Sequence, residues 1–294
     1  VLLALKSTLH GFLRRLDWIE LRAVLILVTM SFLLLPLLPD RTLDPWETLN
    51  PARIWELAIL VCVISFVGYI GIRVFGERRG ILIAALAGGL VSSTAATLNF
   101  ARLAKIHAGD RAAMTGAIAL AGAVMCVRLL LIVGIFNLTL AVVLLPMLAA
   151  AMTVQAVIGL LLVAHGLKKP HDEVIWKNPF DVGSALRFAI LIGIILMIST
   201  LVARHYGSEA LMSVSAIAGL ADVDAITLSL ARMQEPLVDL KLAADGVLIA
   251  ALTNTVMKAG LAGLAGGTET GWRVSAVNLA AVLTTGATYL LFGA

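Results

Sequence analysis

Long apolar runs separated by short polar, mostly basic stretches dominate the chain. The first complete run, Ala23 to Pro39, follows GFLRRLDWIELR (11–22), which mixes basic and aromatic residues as juxtamembrane segments do. A polar loop, DRTLDPWETLNPAR, leads to a second run from Ile54 to Ile72 that closes on Arg73, Arg78 and Arg79. A third segment, Gly80 to Ala104, ends in Arg102, Lys105 and Arg111. From Ala112 to Ala164 the sole charge is Arg128, which leaves room for two spans with a tight turn near Phe136 and Asn137. After the basic connection HGLKKPHDEVIWKNPF come runs at Ser184–Ala203, Leu211–Met233, Ala243–Ala265 (with Lys258 inside) and Val274–Phe292. No alternating pattern of barrel strands recurs, so the expected spans are helices.

Composition narrows the class. Of 294 residues 61% are hydrophobic and 14% charged, with mean hydropathy +1.02, far outside the range of a soluble globule. The reading is an all-α polytopic membrane protein of the bacterial inner membrane. Its net charge of +4 reports orientation through the loops rather than nucleic-acid binding. Cys62 and Cys126 lie singly inside apolar runs, which suits small core residues rather than a disulfide framework or thiolate site. The start at Val1 reads as the tail of an apolar helix whose beginning lies upstream.

One stretch stands out. Gly219 to Arg232, GLADVDAITLSLAR, places Asp222 and Asp224 inside an apolar run, where ionised groups are costly and usually functional. At an offset of 130 residues, Gly89 to Arg102 reads GLVSSTAATLNFAR, identical at 7 of 14 positions, with Ser92 and Thr94 standing where the aspartates are. Arg128 and Lys258 are also 130 apart, Asn50-Pro51 and Asn178-Pro179 each precede the opening span of a half, and LAILV at Leu57 resembles FAILI at Phe188. An internal duplication is the ground plan of many transporters and some channels. The expected layout is residues 1–40 as juxtamembrane segment and first span, 41–166 as repeat 1 and 167–294 as repeat 2.

Loop charge bears on the direction of the repeats. If both signature segments cross the membrane, Lys and Arg divide 9 inside and 10 outside. If each enters and leaves on one side, the division becomes 14 and 5, which obeys the positive-inside rule. Three crossings per half then turn the second repeat upside down. The expected fold is therefore two inverted repeats, each of three spanning helices and one re-entrant or broken helix, preceded by an extra N-terminal helix.

Breaks at GLADVD and GLVSST would turn carboxylates, hydroxyls and freed carbonyls toward a central cavity. Oxygen donors of that kind suit Mg²⁺, another divalent metal or an alkali ion. The candidate cation ligands are Asp222 and Asp224 first, then Thr227, with Ser92, Ser93, Thr94 and Thr97 as counterparts. The hydroxyls also suit helix packing or bonds to a carbonyl one turn back. Arg128 and Lys258 are candidate charge partners, with Asn254 one turn before Lys258 to orient it; the alternative for the aspartates is a structural ion pair with these bases. His10, His107, His165, His171 and His205 are scattered near run ends, and nothing resembles a nucleophile with its base, a resident cofactor site or a phosphate loop, so no enzyme is expected. Small-residue faces at Gly116, Ala119 and Gly122–Ala123 suit packing within the bundle or across a homodimer. The lipid bilayer and a metal cation are the expected partners, and nucleic acid is not. The expected function is a membrane transporter or channel for a metal cation, Mg²⁺ or another divalent; two other functions fit the same residues, a non-transporting membrane regulator linked to cation homeostasis and an anion or small-solute carrier using Arg128 and Lys258.

The segment Asn50-Pro51 with Arg53, Ile54 and Trp55, the run SSTAAT, the segment NPFD (Asn178 to Asp181) and above all GLADVDAIT resemble the bacterial membrane family named domain of unknown function 4010. The resemblance runs from about Leu33 to the C-terminus. That domain commonly follows an MgtC/SapB-like membrane domain, whose end residues 1 to 38 resemble. The association implies a link to magnesium or other cation homeostasis, and no catalytic residue is carried over.

Overall fold

The computed structural model describes residues 18–45, 49–76, 80–106, 110–166, 182–206, 210–233 and 238–292. Among them the regular structure is entirely helical. Helix α1, Trp18–Val28, widens into a π-helical turn over Thr29–Leu34 and tightens into a 3-10 turn at Leu35–Leu37, where Pro36 ends it. The irregular turn matters for packing, because the Met30 carbonyl accepts a bond from the Trp55 indole at 3.0 Å and so ties α1 to α2.

Helix α2, Pro51–Gly76, begins with proline at its first turn, while the Asn50 side chain accepts from the Arg53 amide. Its counterpart pair, Asn178-Pro179, lies outside the described residues, as do Arg78, Arg79, most of the basic connection and the NPFD segment. Then follow α3, Gly80–Ile106, α4, Arg111–Phe136, and α5, Leu138–Gly166. The second half holds α6, Val182–Tyr206, α7, Ala210–Ala221, α8, Val223–Arg232, α9, Leu240–Gly266, and α10, Thr268–Phe292. Helices α2, α3, α4 and α5 start 129 to 131 residues before α6, α7, α9 and α10, so the duplication read from two short signatures extends to every helix of each half.

Single residues make the joints. Asn137 separates α4 from α5, its side chain accepting from the Leu140 amide. At the equivalent position Gly267 takes a φ of +87° between α9 and α10, a conformation that favours glycine. The tight turn expected at Phe136–Asn137 is where the sequence placed it.

Six described helices are long and apolar enough to cross a membrane. Large apolar side chains on their outer faces, such as Leu138, Val142, Leu161, Leu264 and Leu283, are exposed, as expected of a multi-pass protein whose solvent is lipid. Inside, α4 is the buried axis. Its small residues let helices approach closely: a Cβ on Gly116 would lie 2.6 Å from the Gly159 carbonyl of α5, and one on Gly89 would lie 2.8 Å from the Ala121 Cα.

Two sets of contacts fix how the segments run. Phe136, ending α4, meets Arg232, ending α8, with 5.9 Å from guanidinium carbon to ring centre. At the other end of α4, Arg111 forms an ion pair with Glu269 of α10, and Gly266 packs on the Ala101 carbonyl. The C-terminus of α9 thus lies by the N-terminus of α4. In α3, Ile81, Ala84 and Ala85 share one buried cluster with Ala96, Phe100, Ala101 and Ala104 and with the N-terminal half of α4. In the second half, Gly246 has both Ser215 of α7 and Leu230 of α8 against it.

Candidate functional site

Both signature segments are broken, and at the same place. Ser92 interrupts α3 with φ −163° and ψ 106°, and Asp222 separates α7 from α8 with φ −159° and ψ 119°. They are equivalent residues, 130 apart. Each is extended backbone that caps the half-helix following it. Ser92 Oγ accepts from the Ala95 amide at 3.2 Å, and Asp222 Oδ1 accepts from the amides of Asp224 and Ala225 at 2.8 and 3.1 Å. A short polar side chain that bonds its own backbone offers a local alternative to the helical ladder, which is why the break falls here.

A break leaves the last carbonyls of the preceding half-helix without amide partners. Side chains from the following spans take them. Arg128 of α4 donates Nη1 to the Leu90 carbonyl at 2.7 Å, and Asn254 of α9 donates Nδ2 to the Gly219 carbonyl at 3.0 Å. Arg128 also grips Asp224 with two donors, Nη2 to Oδ2 at 2.5 Å and Nε to Oδ1 at 3.2 Å, both side chains being 5% exposed. One guanidinium therefore joins the two broken segments: it holds the C-terminal carbonyl of the first half of α3, where the helix dipole is negative, and the carboxylate in the first turn of α8.

Lys258, equivalent to Arg128, does not repeat this. It is buried, and its Nζ rests 2.9 Å from the Met125 sulfur rather than on a carboxylate. Asn254 serves the Gly219 carbonyl and not Lys258, and its Oδ1 is buried without a partner.

The hydroxyls divide. Thr97 bonds the Ser93 carbonyl one turn back at 2.8 Å, the packing alternative weighed from the sequence. Thr227 is fully buried with Oγ1 unpartnered, and Ser229 is the same. Ser93 is buried, whereas Thr94 is half-buried. Asp222 is half-buried beside exposed Leu220 and Ala221, while Asp224 is enclosed. Among the described residues no three His, Cys, Asp or Glu side chains converge; a cation here would rely on the aspartate pair, main-chain carbonyls and hydroxyls. His165 and His205 each bond a carbonyl one turn back, while His10, His107 and His171 lie outside the described residues.

Sequence reasoning did not single out the Leu90 and Gly219 carbonyls, although both lie in the Gly-Leu pairs opening the signatures. Nor did it single out Asp245, a lone carboxylate near the start of α9 that accepts the Tyr289 hydroxyl at 2.8 Å.

Comparison with known proteins adds kinship rather than chemistry. An uncharacterized protein of Aquifex aeolicus (strain VF5) is 30% identical over 186 residues, spanning 62% of this chain and 80% of that protein. No solved structure matches. The profile of the family described as Domain of unknown function (DUF4010) covers residues 59–266, which includes both breaks, Arg128 and Lys258, and the chain belongs to that family.

Proposed function

We propose that the chain is a carrier that moves a metal cation, Mg²⁺ or another divalent ion, through a site where two re-entrant broken helices meet. The observation that carries this reading is the matched break at Ser92 and Asp222, with Arg128 joining the two segments. Helices broken at mid-membrane, with their free termini lining a cavity, are how carriers build ion sites in a medium that tolerates no unpaired backbone.

Contacts between the helices support repeats that run in opposite directions. The start of α4 lies by the end of α9, and the end of α4 lies by the end of α8, close to where α9 begins. Equivalent helices α4 and α9 are then antiparallel, as an axis in the membrane plane requires. The shared neighbours of Ile81–Ala85 and Ala96–Ala104, and of Ser215 and Leu230, support hairpins that enter and leave on one side. Each half-segment of about 12 residues would reach about 18 Å, roughly half of a bilayer whose hydrocarbon core is about 30 Å thick. The side bearing Arg102, Lys105, Arg111 and Arg273 is the more basic and is assigned to the cytoplasm.

In this reading Asp222, the less enclosed of the two aspartates, receives the incoming cation first, and Asp224 completes the site when Arg128 swings away. With no cation bound, Arg128 neutralises Asp224, which keeps an unpaired carboxylate from being stranded in a dry site. A displaceable internal cation suits exchange rather than an open pore.

The test is uptake of Mg²⁺, Mn²⁺, Zn²⁺, Co²⁺ and K⁺ into liposomes holding the purified chain. At least one divalent ion should enter, and Asp222→Asn should cut that flux at least tenfold in protein that still melts cooperatively. Folded wild-type protein that moves none of these ions would replace this reading with that of a non-transporting regulator. One observation favours a second cargo: a buried Lys258 whose ammonium rests on the Met125 sulfur would suit an anionic solute, and in that case anion uptake would be lost in Lys258→Met and survive Asp222→Asn.

A further inference from the structure

A cavity of about 500 Å³ opens between α4, α5, α9 and α10, with Met212 of α7 also in its wall. That volume lies within the range of sites for small organic ligands. Its walls are mostly apolar, with Leu148, Leu248, Ile249, Leu252 and Val282 among them. A hydrated metal ion would find little to replace its water there.

Two polar groups stand out against this lining. Gln155 lines the cavity while only 4% exposed, and its amide has no hydrogen bond to another described residue. Its Oε1 packs against Gly122 of α4, and an amide in a cavity wall takes its remaining bonds from whatever fills the cavity. Asp245 also lines the cavity, and the hydrogen bond it accepts comes from a phenol hydroxyl, with no basic side chain in ion-pair contact among the described residues. Thr255 and Thr285, the cavity's two threonines, already bond carbonyls one turn back and need nothing from a ligand. Lys258 is not part of the wall and reaches it only through Met125.

An apolar chamber with one carboxylate lacking a counter-ion and one unfilled amide is complementary to a particular kind of molecule. We infer that the cavity binds an amphipathic organic ammonium, its charge beside Asp245, a polar atom on the Gln155 amide and its apolar body against the α9 and α10 side chains. This inference does not rest on cation carriage, because binding here and flux through Asp222 are separate readouts.

The probe is radiolabelled decanoylcholine, whose ester carbonyl supplies the polar atom for Gln155, measured on the purified full chain in maltoside micelles, with decanol and decyl sulfate as competitors. Saturable binding near one per chain is expected, displaced by unlabelled ammonium and not by the alcohol or the sulfate. Asp245→Asn, which keeps shape and the Tyr289 partner, should weaken binding at least tenfold. Gly286→Leu should abolish it: a Cβ at Gly286 meets nothing within 4 Å, so the side chain enters the cavity without disturbing the helix. Melting temperatures and gel-filtration profiles like those of the wild type certify both variants. Absence of saturable binding, equal displacement by decanol, or binding unchanged in Asp245→Asn would each overturn the inference.

Discussion

At the scale of single residues, Arg128 decides the most. It sits in the buried axis helix, yet among the described residues its side chain bonds the two broken segments rather than its own hairpin partner α5. Removing one partner of a buried pair leaves the other charged and unsolvated, whereas removing both leaves an apolar contact. Arg128→Met should therefore destabilise the protein by about 3–5 kcal/mol, measured by denaturation in mixed micelles. Adding Asp224→Leu should restore much of that loss, and a double variant as unstable as the sum of the singles would show that the pair is not the source. The sequence made Arg128, Lys258 and the aspartates stand out, because ionisable residues in apolar runs are conspicuous. It did not say which base pairs with which acid, since that depends on bringing α4 against α8 across 96 residues of chain. Thr97 and Thr227 look alike in sequence and differ in the structure only because one finds a carbonyl and the other does not.

At the scale of elements, the breaks and the joints follow from local chemistry, so they were legible in advance. Glycines followed by a polar run marked both signatures, and the helices part inside them at Ser92 and Asp222. The two caps are unequal, however. Ser92→Ala should cost about 1 kcal/mol, the ordinary worth of a helix cap, and Asp222→Ala more, because a carboxylate at a helix N-terminus also meets the dipole. Equal losses in micelle denaturation would mean that the charge does nothing at that terminus. Close approach is the other element-scale device. Gly116→Val would push its side chain into the Gly159 carbonyl and Val163, so α4 and α5 should separate and folded yield should collapse, while the same change at Gly260, with open space around it, should be tolerated. The π-helical turn at Thr29–Leu34 was not foreseen, since nothing in TMSFLL distinguishes it from an ordinary helix until Trp55 reaches its carbonyl.

At the scale of the whole molecule, the two halves share helix order, joints and breaks, and differ in what fills them. Where α9 and α10 frame a cavity with Asp245 and Tyr289, the equivalent stretch of α4 and α5 is shut by Gly116 against Gly159. The duplicated plan was legible because 130-residue spacing recurs in composition and charge; the asymmetry was not, because it depends on small residues whose effect appears only when helices touch. In the proposed arrangement both signature segments turn back midway, on opposite sides. Single cysteines at Gly80, Lys105, Ala210 and Met233, placed in a chain with Cys62 and Cys126 replaced by alanine, test it with a membrane-impermeant maleimide applied from either side of sealed vesicles. Inverted re-entrant repeats predict that 80 and 105 label from one side and 210 and 233 from the other. If 80 and 105 label from opposite sides, the first segment crosses the membrane and the inverted arrangement is wrong.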